Sequence, residues 1–154
     1  QGNAAYASSE GKSQASIWTK YISPYALFKT YAVYNNLVAK KQNINVEDKD
    51  IKSFIEALID GMQHYRSTSK NQMPRLLVEV IYNNNKLDGE LDYIDVIKDV
   101  EDEGLRNIDQ IQIDLSKLSK YYDSKKDDIE KIVIYTHPSV KLLNIDDRFE
   151  LKTI

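Results

Sequence analysis

Six apolar residues recur along residues 51–62 at the spacing of one face of an α-helix. They follow one another at i, i+3, i+4, i+7, i+8 and i+11: Ile51, Phe54, Ile55, Leu58, Ile59 and Met62. The pattern predicts a helix from about residue 46 to residue 65, with Asn45 as its N-cap and acidic residues in the first turn. Because one face of this helix is apolar, we expect it to pack on a sheet and bury that face.

Strand patterns lie on both sides of this helix. Residues 25–34 are rich in aromatic and β-branched types, and further strands are predicted at residues 76–82, 110–115 and 131–135. Ser116 is expected to cap a second helix whose inward side chains include Leu118, Tyr122 and Ile129. Residues 91–100 fit a helix and a strand equally well.

The order of these elements is strand, helix, strand, then strand, helix, strand. This βαββαβ order predicts an α+β fold of the ferredoxin-like type, which RNA-recognition modules share. We therefore expect an antiparallel sheet with helices packed on one face. Fold class alone does not determine function, so the function has to be inferred from particular residues.

The length of 154 residues fits a single domain, which we assign to residues 12–154 as a fragment of a longer chain. Residues 1–11 are interpreted as the remnant of an expression tag and a flexible start. No apolar run approaches the roughly 18 residues that a membrane span requires. Cysteine is absent, which excludes disulfides, thiolate metal sites and cysteine nucleophiles. Together these features predict a cytoplasmic protein that does not enter a membrane.

The charges are distributed unevenly along the chain. Residues 1–86 carry a net charge of +4 from 11 basic and 7 acidic residues, whereas residues 87–154 carry −7 from 10 basic and 17 acidic residues. A basic half can bind a polyanion, although uneven surface charge alone does not require one.

The basic half contains the most informative segment, residues 64–75, which we call the basic loop. It combines cations with small hydroxyl and amide donors, a set that suits phosphates and 2′-hydroxyls. The alternative is a solvated loop whose cations offset the negative end of the helix. Six side chains are predicted to contact RNA: Arg66, Ser67, Ser69, Lys70, Gln72 and Arg75.

Other polar residues favour structural roles. His64 adjoins the basic loop and is the better candidate for a general base, but a structural hydrogen bond at the helix end is the preferred interpretation. His137, which precedes Pro138, is predicted to be a turn residue. The two histidines show no HExxH motif or paired spacing, so no metal site is predicted, and no cofactor is expected. Three adjacent acidic pairs are interpreted as solvated surface: Asp102-Glu103, Asp127-Asp128 and Asp146-Asp147.

Several segments resemble a known family. Ser-Pro-Tyr-Ala-Leu at residues 23–27, residues 48–58, and residues 66–77 with Val-Ile-Tyr at 80–82 resemble the backbone subunit of CRISPR type I complexes, closest to the type I-B branch. The resemblance covers roughly residues 16–100 of this chain and corresponds to the C-terminal half of such subunits. These subunits belong to the RAMP superfamily and line up along a guide RNA in the Cascade interference complex.

The resemblance implies an RNA-recognition-like core, no catalytic residues, and head-to-tail self-association along the guide RNA (crRNA) with other Cascade subunits as partners. It also implies that the six residues of the basic loop face that RNA. Two alternatives remain open. One is a metal-independent ribonuclease of the same superfamily with His64 or Tyr65 as general base. The other is a protein-interaction module with an exposed strand edge.

Overall fold

The computed structural model describes most, but not all, of the chain. The backbone is described for residues 2–8, 11–17, 25–64, 66–67, 70–84 and 92–154, and side chains for residues 25–64, 72–84 and 92–154. None of the helices in these residues has the length and apolar character that crossing a bilayer requires.

The chain begins with a β-hairpin. Strand β1, Gly2–Ser8, pairs in antiparallel register with β2, Gly11–Ile17. Residues 1–11, interpreted as a tag remnant and flexible start, therefore include one strand of this hairpin and the first residue of the other. The division of the chain at residues 11 and 12 stays a prediction.

The strand predicted at residues 25–34 is wrong. Residues 25–35 have no regular secondary structure, and the side chains of Phe28 and Tyr31 are 84% and 74% exposed. Strand preference reflects packing against neighbouring strands, and no strand in the described residues pairs with this segment. The chain instead enters a short helix, α1, Asn36–Lys41, whose first turn is capped where the Asn35 side chain accepts a hydrogen bond from the Val38 amide at 3.1 Å.

The long helix is confirmed as α2, Asp48–His64. It begins at Asp48, so Asn45 is not its N-cap; the Asp50 carboxylate accepts a hydrogen bond from the Glu47 amide at 2.8 Å instead. The prediction that its apolar face is buried on a sheet is wrong for the described residues. No residue of α2 is buried there, and Phe54 is 55% exposed. The face is apolar by pattern, but half-exposed in this structure.

Two short strands and one long strand follow α2. Strands β3, Arg66–Ser67, and β4, Lys70–Asn71, form a small hairpin inside the basic loop. Strand β5, Leu76–Tyr82, lies where the sequence predicts it.

The first three-stranded sheet has the order β10-β8-β5. Its central strand β8, Ile129–Thr136, confirms and extends the strand predicted at residues 131–135. It pairs antiparallel with β5, from Leu76 opposite Thr136 to Tyr82 opposite Ile129, and parallel with β10, Glu150–Thr153.

The second three-stranded sheet has the order β6-β7-β9. Strand β6, Asp95–Lys98, shows that part of the ambiguous segment 91–100 is a strand. Two 3₁₀ turns, Asp102–Gly104 and Ile108–Gln110, lead to β7, Ile111–Asp114, within the strand predicted at residues 110–115. Strand β9, Lys141–Leu143, pairs parallel with β7.

Helix α3, Ser116–Lys125, connects β7 in the second sheet to β8 in the first. Ser116 is the first helical residue and not the cap; the Asp114 carboxylate accepts hydrogen bonds from the Ser116 amide at 2.8 Å and its hydroxyl at 2.6 Å. Leu118 is buried, as predicted, and Tyr122 is half-buried. Ile129 is also buried, although it lies in β8.

The main core lies between the two sheets and α3. Its fully or nearly fully buried side chains come from β7, α3, the residue between them, β8 and the segment before β10: Ile113, Leu115, Leu118, Tyr121, Ile129, Ile132, Ile134 and Phe149. The α+β class is confirmed, and the arrangement of small sheets and helices is compatible with a ferredoxin-like fold. The observed order of elements differs from the predicted βαββαβ order because the first predicted strand, at residues 25–34, does not form. The other predicted strands belong to two sheets and not to one.

Candidate nucleic-acid interface

The centre of the basic loop is a short antiparallel hairpin. Arg66 pairs with Asn71 and Ser67 with Lys70 in the backbone register of β3 and β4. The hairpin thus places the backbone of Ser67, a predicted hydroxyl donor, directly opposite that of the predicted cation Lys70. Ser69 and the side chains of Arg66, Ser67 and Lys70 lie outside the described residues, so their predicted RNA contacts stay predictions.

The return of the loop to β5 is described with side chains. Gln72 is exposed, as a residue that contacts a ligand in solution has to be, and Met73 is 44% exposed. Pro74 is buried. Arg75 follows this buried proline directly, and β5 begins one residue later at Leu76.

Of the three lysine and arginine residues in the basic loop, Arg75 is the one whose side chain the structure describes. It is half-buried, and its Nη1 donates a hydrogen bond to the Ser139 hydroxyl at 2.9 Å and lies 3.4 Å from His137 Nδ1. Its backbone carbonyl accepts a hydrogen bond from the His137 amide at 3.0 Å. Among the described residues Arg75 forms no ion pair with a carboxylate. A guanidinium has five N–H donors, so this arrangement orients the group and leaves donors and charge for an anion.

His137 and Ser139 complete a small polar cluster around Arg75. The His137 Nδ1 accepts a hydrogen bond from the Ser139 amide at 3.2 Å and lies 2.7 Å from the Ser139 hydroxyl. The predicted turn role of His137 is thereby confirmed. Sequence reasoning missed Ser139 altogether. The signal that identifies the cluster is the register of β5 on β8, because Leu76 lies opposite Thr136 and the residues just outside this pair then meet.

His64 has a structural role at the end of α2. Its Nδ1 donates a hydrogen bond to the Asp60 carbonyl at 2.8 Å, as the preferred interpretation of the sequence predicts. Tyr65, the other residue considered as a general base, lies outside the described residues.

The adjacent acidic pairs do not all lie on solvated surface. The prediction is right for Asp102, whose side chain is 80% exposed. It is wrong for Asp146, which is 13% exposed and accepts a hydrogen bond from Arg148 Nε at 2.8 Å; this bond holds the pKa of Asp146 well below its usual range. Asp128 is half-buried. In the part of the chain that the structure describes, no group of three metal-ligating side chains lies close together.

Comparison with protein families and with curated proteins gives two results. No curated protein matches the chain. The family model described as CRISPR-associated protein Cas7 matches residues 1–116, which include the whole of the basic loop and end at the first residue of α3. The matched range is longer at both ends than the range over which the segments in the sequence show the resemblance. Because the match covers most of its length, this chain belongs to the CRISPR-associated Cas7 family.

Proposed function

We propose that the protein is a non-catalytic backbone subunit of a CRISPR type I interference complex and binds guide RNA phosphates through the basic loop. Membership of the Cas7 family supports a CRISPR-associated subunit that binds crRNA. The role of the loop residues, the absence of catalysis, and the assignment to the type I-B branch and to the C-terminal half of the subunit belong to the proposal.

The observation that carries the proposal is the environment of Arg75. Its guanidinium is oriented by the Ser139 hydroxyl at 2.9 Å but forms no ion pair with a carboxylate in the described residues. A planar guanidinium binds phosphate, as it binds carboxylate, through two parallel hydrogen bonds, and contacts to phosphate position a nucleic acid without reading its sequence. The hairpin of β3 and β4 places the backbones of Arg66, Ser67 and Lys70 in the same basic loop as Arg75.

The proposed partners follow from this role. Guide RNA is the ligand, further copies of the chain associate along it, and other Cascade subunits complete the complex in the cytoplasm. Contacts to the sugar-phosphate backbone allow the same loop to bind any guide sequence, as a repeated backbone subunit requires.

The proposal is tested by fluorescence anisotropy with a labelled single-stranded RNA at two or more salt concentrations. We expect binding to weaken steeply as salt rises, because the release of counterions from neutralised phosphates drives it. The variant Arg75→Gln is expected to bind about tenfold more weakly, since a hydrogen bond to a charged group contributes about 1.5–3 kcal/mol and 1.4 kcal/mol corresponds to a tenfold change. The salt slope is expected to fall by about 0.7 for the one lost phosphate contact.

The matched control is Lys131→Gln, which removes one exposed positive charge from β8, where the lysine lies 3.6 Å from Glu150. We expect this variant to bind like the wild type. Equal losses in both variants would show a response to net charge only, and salt-independent binding would exclude phosphate recognition. Either outcome overturns the proposed role of the loop.

A further inference from the structure

A second basic surface lies on α3, outside the basic loop. It is an open cleft with a volume of about 550 Å³. One wall is a single face of α3, because its residues follow one another at i, i+3, i+4, i+7 and i+8: Lys117, Lys120, Tyr121, Ser124 and Lys125. The other wall consists of Asp92 and Tyr93. Lysines are thus concentrated on one side of a helix in the half of the chain that is acidic overall.

Two of the three lysines form no ion pair in the part of the chain that the structure describes, although the charge of Lys120 contributes to the lowered pKa of Asp114. Lys117 lies 2.6 Å from Asp95, and its hydrogen bond to that carboxylate raises the pKa of Lys117. Asp92, the one acidic residue of the cleft, is engaged by Lys29, whose hydrogen bond lowers the pKa of Asp92. Lys120 and Lys125 form no ion pair with any carboxylate in the described residues. The cleft therefore presents two ammonium groups, while its one carboxylate is already neutralised.

A fixed aromatic ring lies beside these charges. Tyr93 stacks on Tyr121 with a centroid distance of 3.9 Å and an interplanar angle of 18°. Tyr121 is itself buried, and its hydroxyl lies 2.6 Å from the Tyr82 hydroxyl. Tyr93 is half-buried, so part of it remains accessible at the cleft. Since the buried ring holds Tyr93 in place, contact with a ligand costs little side-chain entropy.

The cleft is separate from the basic loop. Tyr82, which contacts Tyr121, is the last residue of β5, and Arg75 immediately precedes its first residue, Leu76. A strand of this length spans about 20 Å at roughly 3.3 Å per residue. The two sites therefore lie near opposite ends of the same strand. All the α3 residues of the cleft also lie after residue 116, where the family match ends.

We propose that this cleft is a second nucleic-acid site, which binds a single-stranded segment through its phosphates and one base. Lys120 and Lys125 contact phosphates, and Tyr93 provides the surface against which a base or ribose packs. Charged grooves combined with aromatic rings are the usual means of binding single strands without sequence preference. Ser124 donates its hydroxyl hydrogen to the Tyr121 carbonyl at 2.7 Å, which leaves its lone pairs to accept a hydrogen bond from a 2′-hydroxyl.

The test compares single-stranded RNA, single-stranded DNA and an acidic peptide of equal charge in anisotropy titrations with four proteins. These are the wild type, the double variant Lys120→Gln/Lys125→Gln, the loop variant Arg75→Gln, and a control, Lys126→Gln/Lys131→Gln, which removes two exposed lysines outside the cleft. We expect the cleft variant to lose at least tenfold in affinity for nucleic acid and about 1.4 in salt slope, and the control to bind like the wild type. Equal affinity for RNA and DNA supports recognition of phosphates alone, whereas tighter binding of RNA supports the added contact from Ser124.

The outcomes separate this site from the basic loop. If Arg75→Gln binds normally while the cleft variant is weakened, the cleft stands and the role proposed for the loop falls. If the cleft variant binds nucleic acid as the wild type does, or if the control is weakened equally, the cleft proposal is overturned. Binding of the acidic peptide at the cleft without binding of nucleic acid overturns it as well.

A further variant, Tyr93→Leu, tests the aromatic contact, with Tyr93→Phe as its control. The leucine variant is expected to lose about fivefold or more in affinity with an unchanged salt slope, and the phenylalanine variant to keep the wild-type affinity. Unfolding curves of all variants separate lost binding from lost folding. Wild-type affinity in a folded Tyr93→Leu protein would overturn the stacking part of the proposal.

Discussion

The Arg75 guanidinium donates a hydrogen bond to the Ser139 hydroxyl at 2.9 Å, across 64 positions of the chain. In this pair Ser139 positions the guanidinium, while Arg75 carries the charge. Replacement of Ser139 by alanine removes one hydrogen bond without changing any charge. We expect Ser139→Ala to weaken RNA binding about threefold, in line with a net contribution of about 0.5–1.5 kcal/mol for one hydrogen bond, and to leave the salt slope unchanged.

The measurement is the same salt-dependent anisotropy titration, with Ser139→Thr as the conservative control because it keeps the hydroxyl. Recovery of wild-type affinity by threonine is the expected result. A fall in the salt slope of Ser139→Ala would contradict the positioning role, since it would mean that a phosphate contact is lost with the hydroxyl.

The hydrogen bond from His64 Nδ1 to the Asp60 carbonyl leads to a prediction about catalysis. We expect the wild type and His64→Ala to leave CRISPR repeat RNA intact during incubation in EDTA, because in the proposed function His64 only completes the end of α2. Denaturing gel electrophoresis measures cleavage. Products that appear with the wild type and disappear with His64→Ala would favour a metal-independent ribonuclease.

The Asp114 carboxylate accepts hydrogen bonds from the Asn144 side chain and from Ser116, and these bonds lower the pKa of Asp114 to about 2. Because its folded pKa lies below the ordinary value of 3.8, the stabilisation is present above pH 3.8 and is lost as pH falls toward 2. We expect Asp114→Ala to be less stable than the wild type at pH 7, and this difference to shrink between pH 4 and pH 2.

Urea unfolding followed by circular dichroism at several pH values measures this difference. Asp109→Ala, at an exposed position in the 3₁₀ turn before β7, is the control and is expected to follow the pH dependence of the wild type. A difference between Asp114→Ala and the wild type that persists unchanged at pH 2 would mean that the carboxylate charge is not its source.

Because α3 is buried and α2 is exposed, replacing an apolar side chain by alanine is expected to lower the unfolding free energy much more on α3 than on α2. Leu118, 1% exposed, lies in the main core, and its replacement by alanine is expected to cost about 2–5 kcal/mol of unfolding free energy. Phe54 lies on α2 and is 55% exposed, so its replacement by alanine is expected to lower the unfolding free energy by less than about 1 kcal/mol. Denaturant titrations of Leu118→Ala and Phe54→Ala compare the two. A large loss for Phe54→Ala would show that the apolar face of α2 is covered in solution.

The elements that the sequence predicts correctly are those whose signal is local. The 3.6-residue periodicity of 51–62 specifies α2, and the apolar run at 76–82 and the polar–apolar alternation at 110–115 specify β5 and β7, because helix and strand periods depend only on neighbours along the chain. The same local reasoning identified Arg75 by its type and its place in a basic loop. It failed at residues 25–34, where strand-like composition finds no pairing partner among the described residues.

The chain alone therefore determined its α+β class, the positions of α2, α3, β5, β7 and β8, and the cationic character of the basic loop, since all of these follow from residue type and short-range spacing. The tertiary structure decided which distant residues meet. The antiparallel register of β5 on β8 brings His137 and Ser139 to Arg75, and the packing of α3 places Tyr121 under Tyr93 and beside Tyr82. Such contacts depend on strand pairing and core packing across long sequence separations, for which a single sequence carries no periodic signal.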